Sequence, residues 1–278
     1  MILREPCLPP GWYPRQTGAI EEFLEPVKKA KAARLSQAAI APHAGWYYSG
    51  RLAALAVSSL EAQVETVVVI GGHLPGGMPV LAAREDGVKT PLGVIMIDKE
   101  LREAFEKQVS TVPDSYQDNT VEVLLPMAHY FFAESKLLWL RFPAEISSFE
   151  AGKILAETAE NVGRKIVVLS STDLTHYGRN YGFSPKGSGK AALEWVKKSN
   201  DAAFINAVLA GDASFALKRA EDDSSACSAG AVLGALGFAF LKGKKAKLLE
   251  YSTSADVLES EDDAVPDSFV GYAAISFG

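Results

Sequence analysis

Apolar residues in this chain gather in short runs rich in Ala, Val, Ile and Leu, and charge-bearing stretches separate them. Short β-branched runs bounded by Gly, Pro or charge read as buried strands. They predict strands near 36–41, 64–71, 79–84, 92–97, 136–141, 165–171, 246–253 and 268–276. The longer stretches predict helices near 50–61, 98–108, 120–133, 147–162, 188–210, 212–221 and 225–242. Asp98 is the right residue type for an N-cap, and Ser147 and Ser148 can open the next helix in the same way. The alternation predicts an α/β protein with a central sheet flanked by helices. The stretch 79–97 breaks the rhythm. Its two apolar runs, joined by Glu85-Asp86-Gly87, predict a hairpin, so a mixed sheet is expected. With no repeat, low-complexity tract or long linker, one domain over 1–278 is expected. The most loop-like stretch, Arg179 to Lys190, directly follows His176 and suits the mobile edge of a site.

Composition narrows the function classes. The chain is 48% hydrophobic and 22% charged over 278 residues, which is ample for a full core. A net charge of −6 argues against nucleic-acid binding through phosphate contacts. The densest basic stretch, Lys242 to Lys247, reads as a solvated turn. The longest apolar stretch, Ala226 to Leu241, is short for a bilayer and is interrupted by Gly230, Gly234 and Gly237. It reads as a buried helix, and no membrane partner is expected. The N-terminus lacks an apolar signal region, and Cys7 and Cys227 do not form a secreted disulfide framework. A cytoplasmic protein is expected, with a single Cys7–Cys227 bridge left open.

The chemistry-bearing residues cluster after the predicted strands. His43 follows the run Ala38 to Ala41, His73 follows Val67 to Gly72, and Asp173 and His176 follow Ile166 to Ser171. Ligand sites in α/β sheets gather outside the carboxyl ends of strands. Imidazole nitrogen is a common ligand for Fe, Cu and Zn, and a carboxylate can ligate or orient a histidine. The Asp-x-x-His spacing is that of one helical turn, which predicts both groups on one side of it. Taken singly, each histidine reads first as a hydrogen-bonded structural residue; three of only four in such places point to one site. The fourth, His129, reads as a packed helix residue. With Ser224 or Ser225 as cap, Cys227 is expected in or near a first helical turn, where thiolate is favoured. Ser170 to Thr172 lack the nucleophile elbow of a serine hydrolase.

The motif Ile40-Ala41-Pro42-His43-Ala44-Gly45-Trp46-Tyr47-Tyr48-Ser49-Gly50 resembles the signature of the Memo family, also called AmmeMemoRadiSam system protein B. Further resemblances follow in order: Pro9 to Pro14, Val67 to His73, Lys89 to Asp98, Ser170 to Gly178, and Ser225 to Leu236. The resemblance implies a fold similar to the LigB-like class III extradiol dioxygenases. It also implies iron or copper at two histidines and one cysteine. Carried over, the ligands are His43, His73 and Cys227, with Asp173 and His176 lining the same cleft as acid–base groups. A thiolate among the ligands keeps zinc in view. Tyr47, Tyr48 and Tyr177 are expected to supply hydroxyls or an apolar wall. The implied activity is redox or oxygen-dependent chemistry on a small molecule or a modified residue. Metal-assisted hydrolysis is a weaker implication. The resemblance also implies a binding or scaffold role, beside AMMECR1-like and radical SAM proteins in microbes.

The chain departs from the family pattern in its middle. Asn119 and Leu124 stand where the family carries histidines, while Glu122 and Pro126 are kept. An amide and an alkyl group cannot shuttle protons. Ser228 replaces a Gly after the cysteine, and Gly71-Gly72 replaces Gly-Pro before the histidine segment.

Overall fold

Alternating side chains on the strands decide the layering. Ile40, Val68, Ile70 and Val168 face one core, and Ala39, Ala41, Val67, Val69, Val167 and Leu169 face another. Strands apolar on both faces must be covered on both, which is why these runs read as continuous rather than alternating. The computed structural model describes residues 1–30, 35–258 and 265–278. Its strands are β1 (Leu3–Arg4), β2 (Ala38–Ala41), β3 (Thr66–Leu74), β4 (Val80–Ala82), β5 (Gly87–Thr90) and β6 (Gly93–Met96). They continue with β7 (Thr111–Pro113), β8 (Lys136–Pro143), β9 (Ile166–Ser171), β10 (His176–Gly178), β11 (Ala246–Thr253) and β12 (Ser268–Phe277). Nine strands form a mixed sheet in the order β10-β12-β2-β9-β3-β8-β4-β7, with β11 also paired to β12. This is the α/β architecture with a central mixed sheet that the pattern predicts.

Helices Thr17–Lys29 and Trp46–Ser59 supply side chains to one core; Ser147–Asn161, Asp201–Ala210 and Ala229–Leu241 supply the other. Close approach demands glycine at one crossing: a Cβ on Gly152 would meet Gly234 O at 2.1 Å. The segment Ala229–Leu241 is a buried helix, as its composition predicts, and no described helix is long and apolar enough to cross a membrane.

Four local expectations are corrected. The hairpin is β5–β6, turning at Pro91-Leu92, and not a pair joined by Glu85-Asp86-Gly87. None of those three residues adopts the positive φ that a tight primed turn requires. Asp86 instead accepts from Ile2 N and Lys99, tying the chain start to the small β1-β5-β6 sheet. The helix predicted over 120–133 is two pieces, Asn119–Glu122 and Leu125–Phe131, with Pro126 opening the second. The helix predicted over 188–210 carries a π-turn at Val196–Asn200. The helix Thr17–Lys29, with Pro26 in its last turn, has no counterpart among the predicted elements. Asp98 does cap its helix, accepting from Leu101 N at 3.2 Å. Ser147 and Ser148 do not: their hydroxyls bond Glu145 and Pro143 O.

Candidate metal centre

Three adjacent parallel strands deliver the cluster. β2, β9 and β3 lie side by side and run the same way, so their carboxyl ends open on one edge. Pro42 carries the chain out of β2 and His43 follows, almost wholly buried. His43 N donates to Asp173 Oδ1 at 2.8 Å, which locks the end of β2 to the segment after β9.

His73 is not past its strand, as its spacing predicts, but inside it. The β3–β8 register shifts between Gly71 and Leu74, and this bulge turns His73 out of the ladder at φ 55°. Non-glycine residues in this left-handed region are uncommon. The surroundings enforce it: a Cβ on Gly72 would meet Ser228 Cβ at 2.4 Å, and one on Gly71 would meet Thr120 Oγ1 at 2.2 Å. Ser228, the departure beside the cysteine, accepts from His73 N at 3.2 Å.

Cys227 comes from the link between helices Ala213–Asp223 and Ala229–Leu241. The cap residue is Ser228, not Ser224 or Ser225, so Cys227 precedes the helix instead of occupying its first turn. Its N–H donates to Asp173 O at 3.2 Å, and its Sγ lies 3.2 Å from His43 Nε2. The rings of His43 and His73 meet edge-on with centroids 4.8 Å apart. One donor atom each from His43, His73 and Cys227 falls within 4.8 Å of the others.

Hydrogen bonding assigns the nitrogens. The Ser171 hydroxyl donates its one proton to Thr120 O, so at 3.0 Å it must accept from His43 Nδ1–H. That leaves His43 Nε2, the atom facing Cys227, for an ion. His73 Nδ1 lies 3.0 Å from Asp118 Oδ2, which frees its Nε2 in turn. Burial alone would lift the Asp118 pKa, but hydrogen bonds from His73 and Thr120 and the Arg141 charge bring it to about 2. Arg141 is itself buried, paired with Asp118 at 3.2 Å and Asp114 at 3.3 Å. Metal-ligating histidines are oriented in this way by carboxylates and other partners on the second nitrogen.

The charges of the cluster support one another. Burial disfavours both ions, yet Cys227 and Asp173 raise the His43 pKa, and the charge and hydrogen bonds of His43 and His73 hold Cys227 well below an ordinary thiol. His73 loses some charge stability to burial, but Asp118 and Cys227 lift its pKa to about 10.

A cleft of about 640 Å³ opens over His43 and His73. Asp173 and His176 line it, with His176 Nε2 3.9 Å from Asp173 Oδ2. Their spacing is not a helical turn: Leu174 N donates to Gly271 O and Gly271 N to Thr175 O, so the segment pairs with β12. His176 stacks on Tyr181 at 4.9 Å. Tyr47 and Tyr48 stand at the cleft, as predicted, with Tyr181 and Tyr272. Tyr177 does not: it is buried, its hydroxyl bonding Gly187 O and Lys186 N. Asn119 lines the cleft and donates to His43 O at 2.9 Å, whereas Leu124 is buried in the core. His129 sits on its helix with Nδ1 2.7 Å from Thr90 Oγ1. Both cysteines are free.

Sequence reasoning overlooked Asp118, Arg141 and Ser171. Asp118 had a readable signal, since an Asp one residue before a helical stretch is a cap candidate. It caps Asn119–Glu122, accepting from Thr120 N at 2.8 Å. Arg141, in the middle of an apolar strand, carried no local signal for its partners.

A family model described as "Memo-like protein" matches residues 4–276. The chain belongs to the Memo family. A "MEMO1 family protein" of Methanosarcina mazei is 31% identical over 288 residues, and one of Archaeoglobus fulgidus is 30% identical over 290; each comparison covers 99% of both chains. Among solved structures, an uncharacterized protein of Escherichia coli K12 is similar over 86% of this chain and 99% of its own, at 14% identity and a TM-score of 0.45. The Memo signature residues supply His43 and the cleft tyrosines Tyr47 and Tyr48.

Proposed function

We propose that this Memo-family chain binds one iron or copper ion, or zinc, through His43, His73 and Cys227. We propose further that it carries out redox or oxygen-dependent chemistry on a small molecule or a modified residue in the adjoining cleft. The observation that carries the reading is the donor set: two imidazole nitrogens left free by Ser171 and Asp118, and a sulfur whose pKa is held well below an ordinary thiol's, within 4.8 Å of one another. Softer nitrogen and sulfur donors suit iron, copper and zinc over magnesium or calcium. When bound, the ion supplies Lewis acidity and, as iron or copper, electron exchange.

The chain's own residues do the rest. Ser171 and Asp118 fix ring orientation, and Arg141 keeps the Asp118 carboxylate charged and aimed. His176 carries a pKa raised, against burial, by Asp173 and Cys227, and its ring lines the cleft, where it can exchange a proton with a bound molecule. Asp173 orients His176 and, through His43 N, the end of β2. The aromatic walls limit water around a bound molecule.

A second reading is a binding protein with a non-catalytic centre, working with AMMECR1-like and radical SAM proteins. Asn119 favours it, because an amide committed to His43 O faces the cleft where the family places a histidine. Both readings are tested by purifying the protein without oxygen and measuring bound metal by mass spectrometry beside His73→Ala and Cys227→Ala. One equivalent of metal, lost in both variants, supports the centre. Metal-dependent oxygen uptake in a substrate screen then selects catalysis. A protein that cannot be loaded removes the metal reading.

A further inference from the structure

The cleft is not the only space against this centre. A second cavity of about 330 Å³ is lined by Cys227, which does not line the cleft. The two spaces share two residues, His176 and Tyr181. Those two rings stack with an interplanar angle of 18°, so a single flat pair forms the partition. Tyr181 is held there by a tight turn: Arg179–Tyr181 is flanked by Gly178 at φ 108° and Gly182 at φ 68°, and Gly178 and Phe183 bond each other's backbone. A Cβ on Gly178 would meet Asp267 O at 2.2 Å, so this turn cannot relax by exchanging the glycine.

The lining of the second cavity limits what enters. Leu174, Phe183, Ala220 and Ala226 supply the apolar part of a mixed lining, and among the described residues no Lys, Arg, Asp or Glu lines it. Its polar groups besides Cys227 are the His176 ring and the hydroxyls of Ser224 and Tyr181. Ser224, exposed and at φ 49°, marks where helix Ala213–Asp223 ends. A space of this size is at the small end of ligand pockets, which run from about 300 to 1,000 Å³. Apart from the His176 ring, no described lining residue offers an ionic ligand a countercharge for the hydration it would lose.

We infer that the second cavity is a separate access site to the Cys227 sulfur for a compact, uncharged molecule, with the His176–Tyr181 pair dividing it from the larger cleft. The arrangement lets a small co-ligand reach the sulfur side of the centre while a larger molecule fills the cleft. The inference rests on the cluster geometry of the proposed centre, but not on which metal binds there or whether one does.

The test uses the full-length apo protein after chelation, with Cys7→Ser as parent so that Cys227 is the one thiol. The probe is iodoacetamide, small and neutral, whose carbon is attacked by sulfur with loss of iodide. Rates of such reactions follow access as well as thiolate content. Filling the second cavity with Ala220→Phe, or separately with Ala226→Leu, is expected to slow alkylation by about ten-fold or more, while Ala44→Phe in the larger cleft leaves it within about two-fold. The negatively charged reagent iodoacetate is expected to lag iodoacetamide in the parent. Circular dichroism identifies variants that keep the fold, and two plugs on different segments guard against one misfolding. If both folded plug variants react at the parental rate, or Ala44→Phe alone blocks the reaction, the sulfur is reached through the cleft and the inference is wrong. Metal loading, measured separately on the same variants, distinguishes that failure from failure of the metal centre.

Discussion

Two cysteines, both free and both hydrogen-bonded to titratable neighbours, end with opposite chemistry. Around Cys7, burial and the Glu122 carboxylate raise the thiol pKa to about 11, and the sulfur donates to Glu122 Oε2 at 2.8 Å. Glu122 also accepts from Cys7 N, Leu8 N and Tyr13, so the thiol is one donor in a knot that fastens the N-terminal segment to helix Asn119–Glu122. Around Cys227, two imidazoles take the carboxylate's place and hold the thiol pKa well below its ordinary value. The same side chain is a structural donor beside an acid and a candidate metal ligand beside two bases. The sign of the neighbouring charge decides which, because burial pushes both thiols the same way.

The largest expected effect is a gap in reactivity. At pH 7 a thiol with a pKa near 11 is about one part in ten thousand thiolate, whereas the Cys227 pKa is held well below that of an ordinary thiol, so a small alkylating reagent should modify Cys227 first by orders of magnitude. Raising pH should speed Cys7 about ten-fold per unit and leave Cys227 nearly flat. Mass mapping of the labelled cysteine checks both. Equal rates at pH 7 would break the comparison.

Next is Asp118→Asn. Removing the carboxylate that orients His73 should weaken metal binding by about 10- to 100-fold, measured by competition with a chelator. The same change sharpens a pH effect. The His73 pKa of about 10 in the folded apo protein exceeds its ordinary value near 6.5, so its proton stabilises the apo fold. That stability is complete below about pH 6.5 and is lost as pH rises through about 10. Metal runs the other way, since the ion must displace protons, and affinity should rise with pH over the same window. Apo melting temperatures across pH should show the first trend in wild type and much less of it in Asp118→Asn.

Glu122→Gln acts on the other cysteine. An amide cannot accept from all the donors now gathered on the carboxylate, so about 1–3 kcal/mol of stability should go, read by chemical denaturation. The Cys7 pKa should fall toward an ordinary thiol. The smallest effect belongs to Cys7→Ser, whose metal affinity should stay within about two-fold of wild type, because the ligands lie elsewhere.

Much of this was legible in the sequence, and what was not has identifiable causes. His43 and Asp173 follow strands whose burial is written in their unbroken apolar runs, and the rule for strand ends brings them together. His73 was placed one step wrong, because a bulge driven by Gly72 against Ser228 is a tertiary contact with no local signature. The Asp-x-x-His spacing suggested a helix, but pairing with β12, more than ninety positions on, overrode it. Cys227 stands just before a helix cap, near the turn its motif suggests, but the imidazole charges that lower its pKa come from histidines far away in sequence. Arg141 and Asp118 depend on one another across the fold and so could not be read separately.

On the proposed reading, the neighbouring charge makes Cys227, and not Cys7, the sulfur that holds a metal with His43 and His73. Cobalt(II) added to the anaerobic apo protein tests it, since a thiolate bound to cobalt gives a near-ultraviolet charge-transfer band. The band should appear in wild type and Cys7→Ser and vanish in Cys227→Ser. A band that survives Cys227→Ser, or that Cys7→Ser abolishes, would rule out Cys227 as the metal-binding sulfur.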